Sequence, residues 1–312
     1  MTRIFTADAV HRALAFPFLI DHLAQAHLGA MPQVHVAVHA DPGATGNQFV
    51  VLTAWLSAEM IAVKTVGVFP ENRDLSPPQA SVQGLVTAFD GKTGAPLMAA
   101  DGEAMTFRKT AADSGLGSRL LAREDAETLL VVGAGGLAPY VAEAHMAARP
   151  GIANLLVWNR TPARAEALAA RLARPGLSAT PVSDLAQAVR RADIVSCVTM
   201  SDTPLVKGEW LKPGAHLDLV GAYRPDLREA DDAAMARGTV FVDTRSGMEN
   251  AGDLTQPVDN GTIGWNAVRA DLFDLVRGRI AGRSGDEEIT IFKNVGGGHL
   301  DLFTAQALIA AS

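Results

Sequence analysis

Gly133-Ala134-Gly135-Gly136-Leu137-Ala138 is the segment whose residue types and spacing say most about chemistry. It follows the apolar run Thr128 to Val132 and opens a helix-like stretch. This is the G-x-G-x-x-A form of the turn that receives a dinucleotide pyrophosphate. The glycines permit a tight turn and let backbone N–H groups approach the phosphates, and the helix N-terminus behind them carries partial positive charge. A second apolar run, Asn154 to Trp158, follows at the spacing of a βαβ unit. At its end an NAD site usually offers Asp or Glu to the ribose 2′-hydroxyl, but this chain reads Asn159-Arg160-Thr161-Pro162. A guanidinium flanked by Asn and Thr donors suits a 2′-phosphate, so NADPH (NADP) is expected in preference to NADH. The same residues can start a helix, with Thr161 as N-cap and Pro162 as its first residue.

The rest of the chain must position this turn. Residues 7–27 read as an amphipathic helix, with Val10, Leu14, Phe18 and Leu23 as apolar positions. After Pro32 the pattern alternates: Val34 to Val38, Phe49 to Trp55, Ala62 to Phe69 and Gln83 to Phe89 predict strands, mostly antiparallel. Asp90-Gly91-Lys92-Thr93-Gly94 is a hairpin turn signal, and residues 110–122 read as a helix. From Glu127 strands and helices alternate, with strands at 128–132, 154–158, 178–182, 193–199, 216–220, 239–242 and 289–292. Helices are predicted at 138–148, 162–172, 185–190 and 266–277. That alternation predicts an α/β fold with a parallel, doubly wound sheet of the Rossmann kind. A last helix, 299–311, follows the glycine turn Gly296-Gly297-Gly298.

Composition narrows the class. At 312 residues the chain has room for two domains, and 48% hydrophobic content with net charge −7 describes a globular protein. No basic run invites nucleic acid, no apolar run approaches the ~20 residues of a membrane span, and the N-terminus lacks a secretory pattern. A single cysteine, Cys197, excludes intramolecular disulfides and fits a cytoplasmic location. The histidines are too scattered for metal-ligand spacing, so no metal is expected.

Several ordered segments resemble the ornithine cyclodeaminase/mu-crystallin family. They are residues 64–72 (Lys-Thr-Val-Gly-Val-Phe-Pro-Glu-Asn), 99–102 (Ala-Ala-Asp-Gly), 109–114 (Lys-Thr-Ala-Ala-Asp-Ser), the glycine turn and 208–214 (Gly-Glu-Trp-Leu-Lys-Pro-Gly). Residues 220–229 (Val-Gly-Ala-Tyr-Arg-Pro-Asp-Leu-Arg-Glu) and 251–254 (Ala-Gly-Asp-Leu) complete the set. The resemblance implies a homodimer in which a mixed α+β domain, residues 1–117 with 299–312, forms the dimer contact and the substrate face. A Rossmann domain, residues 118–298, holds NAD(P)H. The implied chemistry is hydride exchange between nicotinamide C4 and an imine carbon alpha to a carboxylate.

Residue by residue, the resemblance places Lys64 near the substrate carboxylate or imine, and its apolar flanks imply partial burial. Lys109 stands where the family commonly has Arg; Arg108 is the alternative anchor, and the exchange is not conservative at a bidentate site. Tyr223 replaces the Asp of cyclodeaminases and related alanine dehydrogenases. A phenol with a reference pKa of about 10 is a poor base but a usable proton donor, which suits reduction of a preformed ketimine. Its bland role is packing. Asp301 lies near the family's C-terminal Asp, although capping or orienting the last helix would explain it at least as well. His299, titratable and beside the glycine turn, could donate a proton, but it is expected to lie exposed at a helix start. Cys197 is expected to be a small buried residue, and Asp226, Arg228 and Glu229 to form a structural ion-pair loop. Ser81, Thr110, Thr199, Val220 and Asn294 match cofactor-contact positions, joining Gly133, Gly135, Gly136, Leu137, Asn159, Arg160 and Thr161. The expected activity is NADPH-dependent reduction of a cyclic ketimine such as Δ1-pyrroline-2-carboxylate, or second Δ1-piperideine-2-carboxylate. The rivals are an ornithine cyclodeaminase or alanine dehydrogenase, and a mu-crystallin-like protein that binds its ligand without turnover.

Overall fold

The computed structural model describes residues 1–43 and 45–312, the side chain of Arg73 excepted. In chain order come β1 (Arg3–Phe5), α1 (Ala7–Ala13), α2 (Phe16–Leu28), β2 (Gln33–Ala40), β3 (Gln48–Leu56) and β4 (Met60–Val68). β5 (Val82–Asp90), β6 (Pro96–Asp101), α3 (Gly102–Leu121), β7 (Thr128–Val132), α4 (Ala138–Ala148), β8 (Asn154–Trp158) and α5 (Pro162–Leu172) follow. Next are β9 (Ser178–Pro181), α6 (Leu185–Arg191), β10 (Ile194–Cys197), β11 (His216–Leu219), α7 (Asp232–Arg237), β12 (Thr239–Val242) and α8 (Gly252–Asp259). β13 (Val268–Asp271), α9 (Leu272–Val276), β14 (Thr290–Lys293) and α10 (Gly298–Ala310) complete the chain. Two compact units result, residues 1–109 with 297–312 and residues 110–296. The first boundary lies eight residues before the expected 117/118, and both positions fall inside α3, which runs unbroken from Gly102 to Leu121. The second falls at 296/297, two residues before the expected 298/299.

The first unit is a six-stranded sheet in the order β1-β6-β5-β4-β3-β2, antiparallel except for the β1–β6 pair. Alternation divides its residues between two faces. The row Leu52, Lys64, Val86, Ala100 and the row Ala54, Ala62, Ala88, Met98 share one face, with Ala54, Ala62, Val86, Ala88, Met98 and Ala100 buried. α10 lies on that face: a Cβ on Gly298 would stand 3.2 Å from Val34 and 3.6 Å from Ala54. The single helix expected over 7–27 is two, α1 and α2. α1 stops at Leu14 (φ −100°, ψ 61°), and α2 restarts with Pro17 in its first turn, where a missing N–H costs nothing. α2 then buries Phe16, Leu19, Ile20 and Leu23 at helical spacing. The hairpin turn forms as expected, its Asp90 carboxylate accepting from the amides of Lys92 and Thr93. The helix expected from 110 begins at Gly102 instead, with Asp101 accepting from the Ala104 amide.

The second unit is an eight-stranded, wholly parallel sheet in the order β13-β12-β14-β11-β10-β7-β8-β9. Its central strands send apolar residues to both faces, as strands packed between two layers do. Leu130, Val132, Val195, Cys197, Leu217 and Leu219 enter one core, while Leu129, Val131, Leu155, Val157 and Ile194 enter the other. The helix expected at 266–277 is instead the edge strand β13 followed by the short α9, which Asp271 caps by accepting from Asp274 N–H. Its apolar residues fit both periods over so short a run. β7 starts the sheet, β8 and β9 extend one way, and β10 returns to its other side. The order thus reverses between β7 and β10, the place where such sheets open a crevice at the carboxyl ends of their strands.

Candidate active site

In the first unit three charged side chains converge. Lys64 comes from the middle of β4, Lys109 from α3 and Asp301 from the first turns of α10, and they are 9%, 6% and 1% exposed. Lys109 Nζ lies 2.8 Å from Asp301 Oδ2 and donates to the Gly297 carbonyl at 3.1 Å. Lys64 Nζ lies 3.8 Å from Asp301 Oδ1 and donates to Thr106 Oγ1 at 2.5 Å. The Thr106 hydroxyl donates in turn to the Gly102 carbonyl at 2.6 Å, which leaves its oxygen to accept from Lys64. Burial lowers the Lys64 pKa to about 8, against the pull of Asp301 and with the help of Lys109. Two ammoniums against one carboxylate leave one positive charge, and a buried excess charge calls for an anion. Arg108 turns elsewhere, its Nε donating to His11 Nδ1 at 3.1 Å and its guanidinium lying 4.6 Å from the Phe16 ring centre. His299 is not exposed as expected: it is fully buried, its ring 6.0 Å from His27 and from Phe303, and burial holds its pKa well below the usual value. α10 is a buried helix rather than a surface one, so its first residues face inward. Asp301 does not cap α10; it binds the two lysines.

In the second unit the glycine turn leaves β7 at the point of strand reversal. Gly133 has φ +113°, and a Cβ there would stand 2.8 Å from the Val198 carbonyl, so only glycine fits. Around Gly135 the space is open, with Gly135 and Gly136 exposed. Leu137 is the N-cap of α4 and no side chain caps that helix, which suits an anion at its N-terminus. Asn159 fastens the turn, accepting from Ala134 N–H at 3.1 Å and donating to the Thr161 carbonyl at 3.0 Å. Arg160 and Thr161 are exposed beside it; Thr161 occupies the N-cap position of α5 without a side-chain capping bond. With open glycines, an uncapped helix and no carboxylate at the end of β8, these residues fit a dinucleotide.

Thr199 and Val220 sit just beyond β10 and β11, and Val220 N–H donates to Cys197 at 3.0 Å. Asn294 donates to the Thr110 carbonyl and to Ser114 Oγ. Tyr223 belongs to this unit, is 53% exposed, and has its hydroxyl 3.9 Å from Met200 Sδ. Ser81 belongs to the first unit, 3.4 Å from the Pro70 carbonyl. Cys197 is fully buried. The loop expected to be held by ion pairs is divided: Arg224 pairs with Asp226, Arg228 with Asp232, and Glu229 binds backbone amides instead. Two polar residues escaped sequence reading. Thr106 orients Lys64 through packing of α3 on β4, and Asp243 accepts from the Val295 and Gly296 amides; neither spacing announces its partner. Among the described residues there is no cluster of three or more His, Cys, Asp or Glu side chains placed to hold a metal, and no helix long and apolar enough to cross a membrane.

The chain matches the model of the ornithine cyclodeaminase/mu-crystallin family over residues 9–309. It is 40% identical over 299 residues to the Delta(1)-pyrroline-2-carboxylate reductase of Paracoccus denitrificans (strain Pd 1222), covering 96% of this chain and 93% of that protein. Among solved structures it is similar to the Thermococcus litoralis Delta(1)-pyrroline-2-carboxylate reductase in complex with NADH and L-proline. The TM-score there is 0.91 at 28% identity, covering 99% of this chain and 97% of the other. An archaeal alanine dehydrogenase dimer with bound NAD gives a TM-score of 0.89 at 25% identity, covering 99% and 95%.

Proposed function

The chain belongs to the ornithine cyclodeaminase/mu-crystallin family, and on that premise we propose that this oxidoreductase of carbon–nitrogen bonds reduces a cyclic ketimine carboxylate with NADPH. Δ1-Pyrroline-2-carboxylate giving L-proline is the leading substrate and Δ1-piperideine-2-carboxylate giving L-pipecolate the second. The observation that carries this reading is the buried set of Lys64, Lys109 and Asp301 with its single excess positive charge. One carboxylate neutralises it, whereas an imine dicarboxylate would bring a second charge into a site where uncompensated charge is costly.

When bound, the reduced nicotinamide would supply the hydride, two electrons with one proton, to the imine carbon. Lys64 and Lys109 hold the carboxylate, and Asp301 keeps their ammoniums in place. Tyr223 or a water supplies the proton that the nitrogen takes up; a phenol 3.9 Å from a sulfur, a weak acceptor, has its hydrogen available. Arg160, with no carboxylate beside it, supports NADPH over NADH.

We assign the same chain a homodimeric state. On the sheet face opposite α10, Phe49, Trp55 and Leu85 are 47%, 50% and 52% exposed, an apolar surface that a second copy would cover. An archaeal relative in fold is described as a dimer, in support.

The test is spectrophotometric NADPH oxidation with five- and six-membered ketimine carboxylates, against L-ornithine or L-alanine with NAD. Turnover of the ketimines with NADPH preferred is the expected result. Ammonia release from ornithine or alanine without ketimine turnover would overturn it in favour of a cyclodeaminase or alanine dehydrogenase. Calorimetric ketimine binding without oxidation would mark a ligand-binding protein of the mu-crystallin kind.

A further inference from the structure

Glu229 is fully buried, yet its carboxylate points at two strand ends. Oε1 accepts from Thr199 N–H at 2.6 Å and from the Thr199 hydroxyl at 2.8 Å, while Oε2 accepts from Gly221 N–H at 2.6 Å. Thr199 lies two residues past β10 and Gly221 two residues past β11. They approach so closely that a Cβ on Gly221 would fall 1.6 Å from the Thr199 carbonyl. Thr199 also abuts the nucleotide turn, its Cγ2 3.0 Å from where a Cβ on Gly133 would stand. Behind Glu229, Asp253 of α8 accepts from the Glu229 amide at 2.8 Å and meets Lys293 of β14 at 3.3 Å. Among the described residues Cys197 of β10 also lies near enough to feel the Glu229 charge, and Arg228 turns away to Asp232.

We propose that Glu229 is a positioning residue for the nucleotide, fixing Thr199 and Gly221 against the glycine turn only while its carboxylate is ionised. This rests on the reading of that turn as the nucleotide site. An ionised carboxylate accepts from all three donors, whereas a protonated one must aim its own O–H at one of them. Two buried carboxylates share one ammonium here, and burial with the nearby Asp253 charge pushes the Glu229 pKa up to about 7. The grip is therefore lost as the pH falls through neutrality, leaving one buried donor without its acceptor.

Fluorescence titration of NADH and NADPH between about pH 5.5 and 8.5 tests this; NADH is included because a 2′-phosphate titrates near pH 6 itself. The unaltered chain is expected to bind both about tenfold more weakly at the acid end, the size of one lost charge-assisted bond. Glu229→Gln, which puts an amide N–H₂ among the donors, is expected to be about tenfold weaker at the alkaline end and flat with pH. Thr199→Val loses the hydroxyl bond alone and keeps the pH dependence. A flat profile in the unaltered chain overturns the proposal, as does a variant E229Q with native affinity. An acid limb persisting in E229Q also overturns it and assigns the limb to Asp243, the other buried carboxylate pushed up to about 7. Absence of nucleotide binding by the unaltered chain overturns the function and this proposal together, whereas binding that ignores E229Q overturns this proposal alone.

Discussion

Lys64 gives up its proton at about 8 because burial disfavours the charged form more than Asp301 restores it. Carboxylate affinity should therefore be full below that pH and fall as it is passed, by up to about tenfold per unit. A ring carboxylate without an ionisable nitrogen, such as furan-2-carboxylate, isolates the effect: its inhibition constant should rise above pH 8 in the native chain, and Lys64→Met should bind it weakly with no such limb. A native inhibition constant that is flat to alkaline pH would remove Lys64 from the carboxylate site. Arg160 makes a second, separate prediction. Arg160→Ala should weaken NADPH by about 1.5–3 kcal/mol, one charge-assisted contact, and leave NADH nearly unchanged; equal losses in titration would refute a 2′-phosphate contact. Arg160 and the glycines were readable because a nucleotide turn is a local pattern. The partnership of Lys64, Thr106, Lys109 and Asp301 was not, since it joins β4, α3 and α10 across more than 230 residues of sequence. The sequence could nominate the lysines by resemblance, but their shared carboxylate and depressed proton affinity exist only once α10 lies on the sheet.

At the scale of elements, α3 shows why boundaries were harder to read than cores. Its last turn is closed by Arg149, which follows α4 and donates to the carbonyls of Arg119, Ala122 and Arg123 at 2.7–2.9 Å. A helix end leaves such carbonyls without partners, and here a guanidinium from a distant segment satisfies them. Arg149→Ala should orphan several at once and cost about 3 kcal/mol, which thermal melting would register as a fall of several degrees. A melting temperature within a degree of the native one would show that water replaces the guanidinium. Elsewhere the readable elements were those with one unambiguous period. β7, α4, β8 and α5 carry strong apolar runs between glycine and proline signals and appear where expected. Val268–Val276 failed because nine residues of mixed pattern satisfy a helix and a strand-then-helix alike, and the sheet's open edge beside β12 decided between them. α2 was absorbed into one long helix because the break at Leu14 and Ala15 lacks a glycine, and only Pro17 hints at it.

Across the whole molecule, buried titratable groups set how folding responds to acid, and they pull in opposite directions. His216 lies fully buried in β11 with Nδ1 2.9 Å from Thr290 Oγ1. The Thr290 hydroxyl donates to the Leu121 carbonyl, so the imidazole Nδ1–H donates to the Thr290 oxygen. Burial lowers its pKa from 6.5 to about 3, Asp218 nearby opposing. Between those values the unfolded chain binds a proton that the folded chain refuses, so stability is lost as pH falls from 6.5 toward 3, at up to about 1.4 kcal/mol per unit. Glu229 and Asp243, both raised to about 7, act the other way: the folded chain takes their protons first, and stability is gained as pH falls through 7. The total curve therefore hides each contribution, and a difference between variants reveals it. His216→Asn keeps a donor near Thr290 but cannot titrate. Chemical denaturation should find it less stable than the native chain at pH 8 through lost packing, with the gap closing by up to about 1.4 kcal/mol for each unit below 6.5. Parallel stability curves from pH 8 down to about 4 would mean that His216 takes up its proton inside the fold as readily as in the unfolded chain.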